Sequence, residues 1–360
     1  MTIRPPSSRP CISGPRASNA GSIPGQSPRS KPTPVNARIA RRFCNQSTIR
    51  KTPRTMASIR ARLVNLALPL LGIKSFFSQP EKLDERIAKL RTQASIRPRA
   101  KWSAQFDISE DDSRGYAVVT MVPKGGARAG APHLLYLHGG GYVMDIAALH
   151  WDAIARLCVD LGASATVPLY PLAPEHKAAE TLDAMRALYN DIEPEFGAGN
   201  ITVMGDSAGG GMALALAQMI RADGGVLPAS LVLFSPWVDA TATAEGQHEI
   251  EKRDRMLAVS GLEACGRAYA GELPVDDPRV SPLFGPLEGL PPMAIFSGTS
   301  DILLVDGRRL SAKLHAPGMP HHIYREYDGM FHVWMLLPIP EGKRALGETA
   351  AFIRNPRGAA

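Results

Sequence analysis

The amino-acid sequence predicts an α/β protein whose mostly parallel β-sheet is covered by helices on both faces. Three observations carry that expectation. From about residue 101 onward, short aliphatic or β-branched runs alternate with longer segments of helical period, the pattern of strand–helix–strand crossovers. The pentapeptide Gly205-Asp206-Ser207-Ala208-Gly209 stands between one such run and one such helix. The glycine-rich turn His138-Gly139-Gly140-Gly141 directly follows another run. Ligands on sheets of this kind sit at the carboxyl ends of the strands.

In chain order, residues 116–122 and 133–137 read as strands, 149–161 as a helix, 164–169 as a strand and 180–191 as a helix. Residues 201–204 form a short buried strand leading straight into Gly205, and 210–221 continue as a helix. Strands at 231–234, 293–297 and 322–324 follow, with a helix at 305–315 before the last. A chain of 360 residues can hold one large domain with a sizeable core, or two small ones.

The formal charge of +7 is unevenly placed. No Asp or Glu precedes Glu81, and residues 1–55 hold eleven Lys and Arg, which leaves 30 bases against all 34 acids beyond them, a formal −4. The folded part is therefore mildly acidic, and nucleic acid is excluded as its partner. Residues 1–55, rich in Ser, Pro, Gly and Arg, read as a disordered basic extension of a single domain at 56–360. Their acid-free composition also fits an organellar transit peptide, although the prolines oppose an amphipathic helix; Met56 offers an alternative start. Cytoplasm is otherwise the expected compartment.

Residues 63–77, LVNLALPLLGIKSFF, are the most apolar stretch, but Pro69 and Lys74 interrupt it and it is too short to span a bilayer. It reads as a helix packed over a pocket or lying on a membrane surface, with membrane association not the expected state. Cys11, Cys44, Cys158 and Cys265 lack CxxC spacing and read as free thiols, the later two as small core residues.

The chemistry lies in the motifs. A nucleophile on a sharp strand-to-helix turn needs small neighbours two residues away on either side, and Gly205 and Gly209 flank Ser207 at that spacing. Glycines after the 133–137 strand let backbone N–H groups approach a developing negative charge, and Ala208, after the serine, is the expected second source of such a donor. A phosphate cradle is excluded by the lack of GK[ST] and of GxGxxG spacing. A serine needs a histidine to take its proton and an acid to hold that histidine, in the chain order Ser, Asp or Glu, His. Asp301 follows the 293–297 strand and His332 follows the last strand; Asp306 is the competing acid, for which a surface or helix-N-terminal role is expected. His138 is expected to brace the glycine turn, and His176, His315, His321 and His322 to be surface or loop residues.

HGGGYVMD, YPLAPEH, GDSAGGGMAL, SPWVD, SGTSDILLVD and GMFHVW, in this order from about residue 134 to 334, resemble the hormone-sensitive-lipase-like branch of the α/β-hydrolases. The resemblance implies an eight-stranded sheet with a helical cap, here residues about 56–100 and about 240–281. It implies Ser207 as nucleophile, Asp301 as acid, His332 as base, and the N–H groups of Gly140, Gly141 and Ala208 as the oxyanion hole. Pro171 stands where the family usually has Arg, and Lys177-Ala178-Ala179 replace its Pro-rich continuation, which puts the details of that loop in doubt and not the triad. The expected activity is hydrolysis of short to medium acyl esters through an acyl-enzyme. A lactone, in particular an ε-lactone, is the alternative substrate, and a catalytically dead binding protein, as in plant gibberellin receptors, is the alternative from another class. No metal or organic cofactor is expected. The expected partner is a small-molecule ester, and a homodimer is left open.

Overall fold

The computed structural model describes residues 57–358. Residues 1–55, for which a disordered or targeting role was expected, and Met56 lie outside the described residues, and Cys11 and Cys44 with them.

Eight strands form one sheet: β1 (Phe106–Asp111), β2 (Val118–Pro123), β3 (His133–Leu137), β4 (Ser164–Pro168), β5 (Ile201–Asp206), β6 (Ser230–Phe234), β7 (Met293–Gly298) and β8 (His322–Tyr327). Their order is β1-β2-β4-β3-β5-β6-β7-β8. β2 runs antiparallel to both β1 and β4, and every pairing from β4 to β8 is parallel. β3, β4, β5, β6 and β7 are buried along their whole length, as strands covered on both faces must be. β1 was not apparent in the sequence. It is an edge strand in which only Phe106 is buried, so FDISED lacks the aliphatic run that marks its neighbours.

Ten α-helices accompany the sheet among the described residues. Three precede it: α1 (Ile59–Ala67), α2 (Ile73–Ser78) and α3 (Leu83–Arg91). The crossovers supply α4 (Ala148–Leu161), α5 (Ala178–Phe196) and α6 (Ala208–Ala222). α7 (Gln247–Glu251) and α8 (Val259–Ala270) lie between β6 and β7, α9 (Leu304–Leu314) follows β7, and α10 (Pro340–Arg354) ends the fold. α4 packs with α10, and α5 with α6. α2 packs on α8 so closely that a Cβ on Gly261 would collide with the Phe77 backbone, which joins the 59–91 segment to the 247–270 segment. Cys158 and Cys265 are buried free thiols. No helix among the described residues is long and apolar enough to cross a membrane.

The apolar 63–77 stretch does not behave as a uniform core or pocket lining. Leu68 and Phe77 are buried, but Leu63, Leu66, Leu70 and Leu71 face outward. Two polar residues also depart from expectation. His322, expected at the surface, is buried at the start of β8 beside Ser311, and burial pushes its imidazole down to about 4. Asp306 is in the first turn of α9 but is fully buried: its carboxylate accepts the backbone N–H groups of Val238 and Asp239, each at 3.0 Å. Burial and the neighbouring Asp239 push its carboxyl up to about 8. Asp306 therefore pins the turn after β6, and its acidity is spent there.

Candidate active site

Ser207 sits between β5 and α6 with φ 53°, a left-handed conformation that few non-glycine residues adopt. The turn is held on three sides: Ser207 N–H donates to Phe234 O at 2.8 Å, and Ser207 O accepts from Trp237 N–H at 2.9 Å and Gly211 N–H at 3.1 Å. A Cβ on Gly205 or Gly209 would collide with the Leu137 carbonyl oxygen of β3, which is why the pentapeptide needs glycine at both ends. Three further non-glycine residues of positive φ cluster on the loops around this turn: Tyr142, Ser235 and Val333. Local strain of this kind costs about 1–3 kcal/mol per residue and persists where surrounding contacts over-determine it.

The glycine turn after β3 passes beside the serine. A Cβ on Gly139 would approach Ser207 Cβ to 3.0 Å, and Gly140 and Gly141 have φ of 123° and 62°. Among the described residues no protein acceptor takes the N–H of Gly140, Gly141 or Ala208. His138 braces this turn as expected: its Nδ1 contacts Gly139 O at 2.7 Å, its ring stacks on Tyr170 at 4.2 Å, and Tyr170 donates its hydroxyl proton to His138 O at 2.6 Å. The YPLAPEH motif thus supports the HGGG turn, and Glu175 pairs with Arg91 of α3 at 3.0 Å.

Asp301 and His332 are brought together. His332 Nδ1 lies 2.9 Å from Asp301 Oδ2, with both side chains buried. Their loops are tied by Ser300 N–H, which donates to Met330 O at 2.9 Å, and Val333 N–H donates to Ser235 Oγ at 3.3 Å. Burial opposes a charge on His332, but the Asp301 carboxylate beside it, aided by Asp254 and Asp206, holds the imidazole above its ordinary value. Asp306 lies elsewhere, against the 238–239 backbone. Among the described residues no hydrogen bond joins Ser207 Oγ to His332 Nε2.

Two acids escaped the sequence reading. Asp206, the variable residue of the pentapeptide, accepts from Tyr136 Oη at 2.7 Å and from Gly139 N–H at 3.0 Å, and its second oxygen lies 3.3 Å from His150 Nε2. Burial opposes its charge, yet His150, Tyr136 and the Gly139 N–H hold the carboxyl below the usual range. Asp206 therefore fixes the glycine turn relative to the serine it precedes. Asp254 accepts from Met256 and Leu257 N–H at 2.7 and 2.9 Å, and from Ile302 N–H at 2.8 Å, so it fastens the 254–257 segment to the Asp301 loop. Burial and the Asp301 charge push its carboxyl up. Position within the pentapeptide was a signal for Asp206; Asp254 had none. Among the described residues no three His, Cys, Asp or Glu side chains gather to hold a metal.

The family profile described as an alpha/beta hydrolase fold matches residues 134–336, more than half of the chain. The chain belongs to this α/β-hydrolase family. Its match spans the whole arrangement from β3 through His332. The hydrolase is similar to an esterase of Acinetobacter venetianus, 33% identical over 239 residues that cover 63% of this chain and 76% of that protein. It is likewise similar to an acetyl-hydrolase of Streptomyces hygroscopicus, 34% identical over 235 residues, 64% of this chain and 78% of that one. A solved hormone-sensitive lipase from a metagenome library superimposes with a TM-score of 0.71 at 27% identity, covering 84% of this chain and 100% of the other. The hydrolase falls in the hormone-sensitive-lipase-like branch and acts on carboxylic esters.

Proposed function

We propose that this enzyme cleaves short to medium acyl esters by acyl transfer through Ser207, His332 and Asp301. The observation that carries the reading is the buried Asp301–His332 pair at 2.9 Å, on loops tied to the strained turn that holds Ser207. His332 Nε2 removes the hydroxyl proton as Ser207 Oγ attacks the ester carbonyl, and Asp301 holds the tautomer with the proton on Nδ1. The N–H groups of Gly140, Gly141 and Ala208 receive the oxyanion; one such donor lowers the barrier by about 3 kcal/mol. The proton passes from His332 to the departing alkoxide. Water then gives its proton to His332, attacks the acyl-enzyme, and releases the carboxylic acid with Ser207 restored.

The preference for short chains rests on the segments about 56–100 and about 240–281, read here as the cap. Phe77 from the first and Cys265 from the second stand against Gly141, 3.5 and 3.6 Å from where a Cβ there would lie, so side chains of both segments, one of them a large aromatic, close in on the site next to the oxyanion donors. The likeness to an acetyl-hydrolase supports the same reading.

One experiment tests activity and mechanism together: kcat/KM against pH for p-nitrophenyl butyrate, p-nitrophenyl laurate and ε-caprolactone. Butyrate is expected to be the best substrate by roughly tenfold or more, since forcing extra methylenes into a crowded site costs about 1–3 kcal/mol. His332 must be neutral to act as base, so activity falls as pH drops through its pKa. Because that pKa is raised, the acid limb is expected above the ordinary imidazole value of about 6.5. A faster laurate or lactone reaction would overturn the substrate class, and the absence of an acid limb in this region would overturn the base.

A further inference from the structure

We propose that the enzyme docks on an anionic membrane surface through α1 and the turn that follows it. Ile59, Leu63 and Leu66 recur at intervals of four and three residues along one face of α1, Leu70 follows in the turn beyond it, and the four are 76%, 62%, 68% and 87% exposed. Leu71 extends the stripe at 65%. Large aliphatic side chains scattered singly on a surface need no explanation, but a continuous stripe does.

The charge around the stripe indicates what covers it. Arg60 and Arg62 are exposed on the same helix, which carries no acid. Along its Arg62, Asn65 and Pro69 edge run two adjoining hollows, lined also by Lys74, Lys252, Arg253 and Arg255. The acids there are few: Asp254 is buried, Glu249 pairs with Lys252, and Asp328 lines one hollow, where its carboxylate accepts from Thr299 Oγ1 at 3.1 Å. A second copy of the chain seated on this stripe would bring these bases face to face with their own kind. Anionic phosphate headgroups neutralise them while the leucines enter the acyl boundary, the geometry of a helix lying in the plane of a bilayer.

The test is co-sedimentation of the full chain with phosphatidylcholine vesicles, with and without phosphatidylglycerol. Binding is expected to be roughly tenfold or more stronger to the anionic vesicles and to weaken as salt is added. A Leu63→Ser, Leu66→Ser, Leu70→Ser variant is expected to lose about tenfold or more of that binding while hydrolysing p-nitrophenyl butyrate like the parent. Undiminished binding by this variant would assign the attraction to the bases alone and overturn the proposal. So would a parent chain that ignores anionic vesicles. A concentration-dependent dimer abolished by the three serines, without vesicle binding, would make a second copy the occupant. Vesicle binding gained only after residues 1–55 are removed would make that segment the occupant.

Discussion

Ser207→Ala is expected to reduce kcat for p-nitrophenyl butyrate by a factor on the order of a million, the loss seen when the nucleophile of a serine hydrolase is removed. The residual rate would come from the oxyanion donors and from substrate binding, which the substitution leaves in place. The fold should survive, because the hydrogen bonds that hold the turn run through the backbone N–H and C=O of residue 207 and not through its side chain. Thermal unfolding of the variant should therefore match that of the parent. A purified, folded Ser207→Ala enzyme that keeps more than about a hundredth of the parent rate would remove Ser207 from the mechanism, since loss of a serine nucleophile costs about a million-fold.

The second large effect is on stability. Gly209→Ala puts a methyl group into the Leu137 carbonyl of β3 and within 2.6 Å of His138 O, and both obstacles are backbone held in the sheet and the HGGG turn. Relief requires moving α6 away from β3, so a loss of about 3 kcal/mol or more is expected. Gly162→Ala is the control: its φ is 65°, but an added Cβ meets nothing within 4 Å, so only the left-handed conformation is penalised, by about 1 kcal/mol. Urea midpoints measure both. Equal midpoints for the two variants would show that the elbow is not the close contact described here.

The central strands were legible in the sequence because burial on both faces demands uninterrupted aliphatic residues, as in LLYL after His133 and SLVLF at β6. β1 was not, since an edge strand needs only one buried side chain, Phe106. α10 was also missed. Gly342 and Gly347 interrupt its helical pattern, and Gly342 is required because a Cβ there would collide with Leu337 O. At the site, motifs pointed to residues whose chemistry depends on local sequence: glycines flanking a strained serine, and a histidine after the last strand. Residues whose work is to join distant segments left no such mark. Asp254 meets Ile302 across 48 residues, and His150 meets Asp206 across 56, so their partners exist only once the chain has folded. Asp306 shows the same limit from the other side. Its place after Asp301 suggested a surface or helix-N-terminal acid; it does stand in the first turn of α9, but the fold turns it inward to cap two peptide groups of the β6 turn.

The most direct test of the account is covalent. A fluorophosphonate reacts with an activated serine by displacement of fluoride, leaving a stable phosphonyl ester that peptide mapping by mass spectrometry can locate. A single adduct on Ser207 is expected in the folded enzyme, with activity lost in proportion to labelling, and none in the heat-denatured chain. An adduct on another serine, or an active enzyme that takes up no probe, would contradict it.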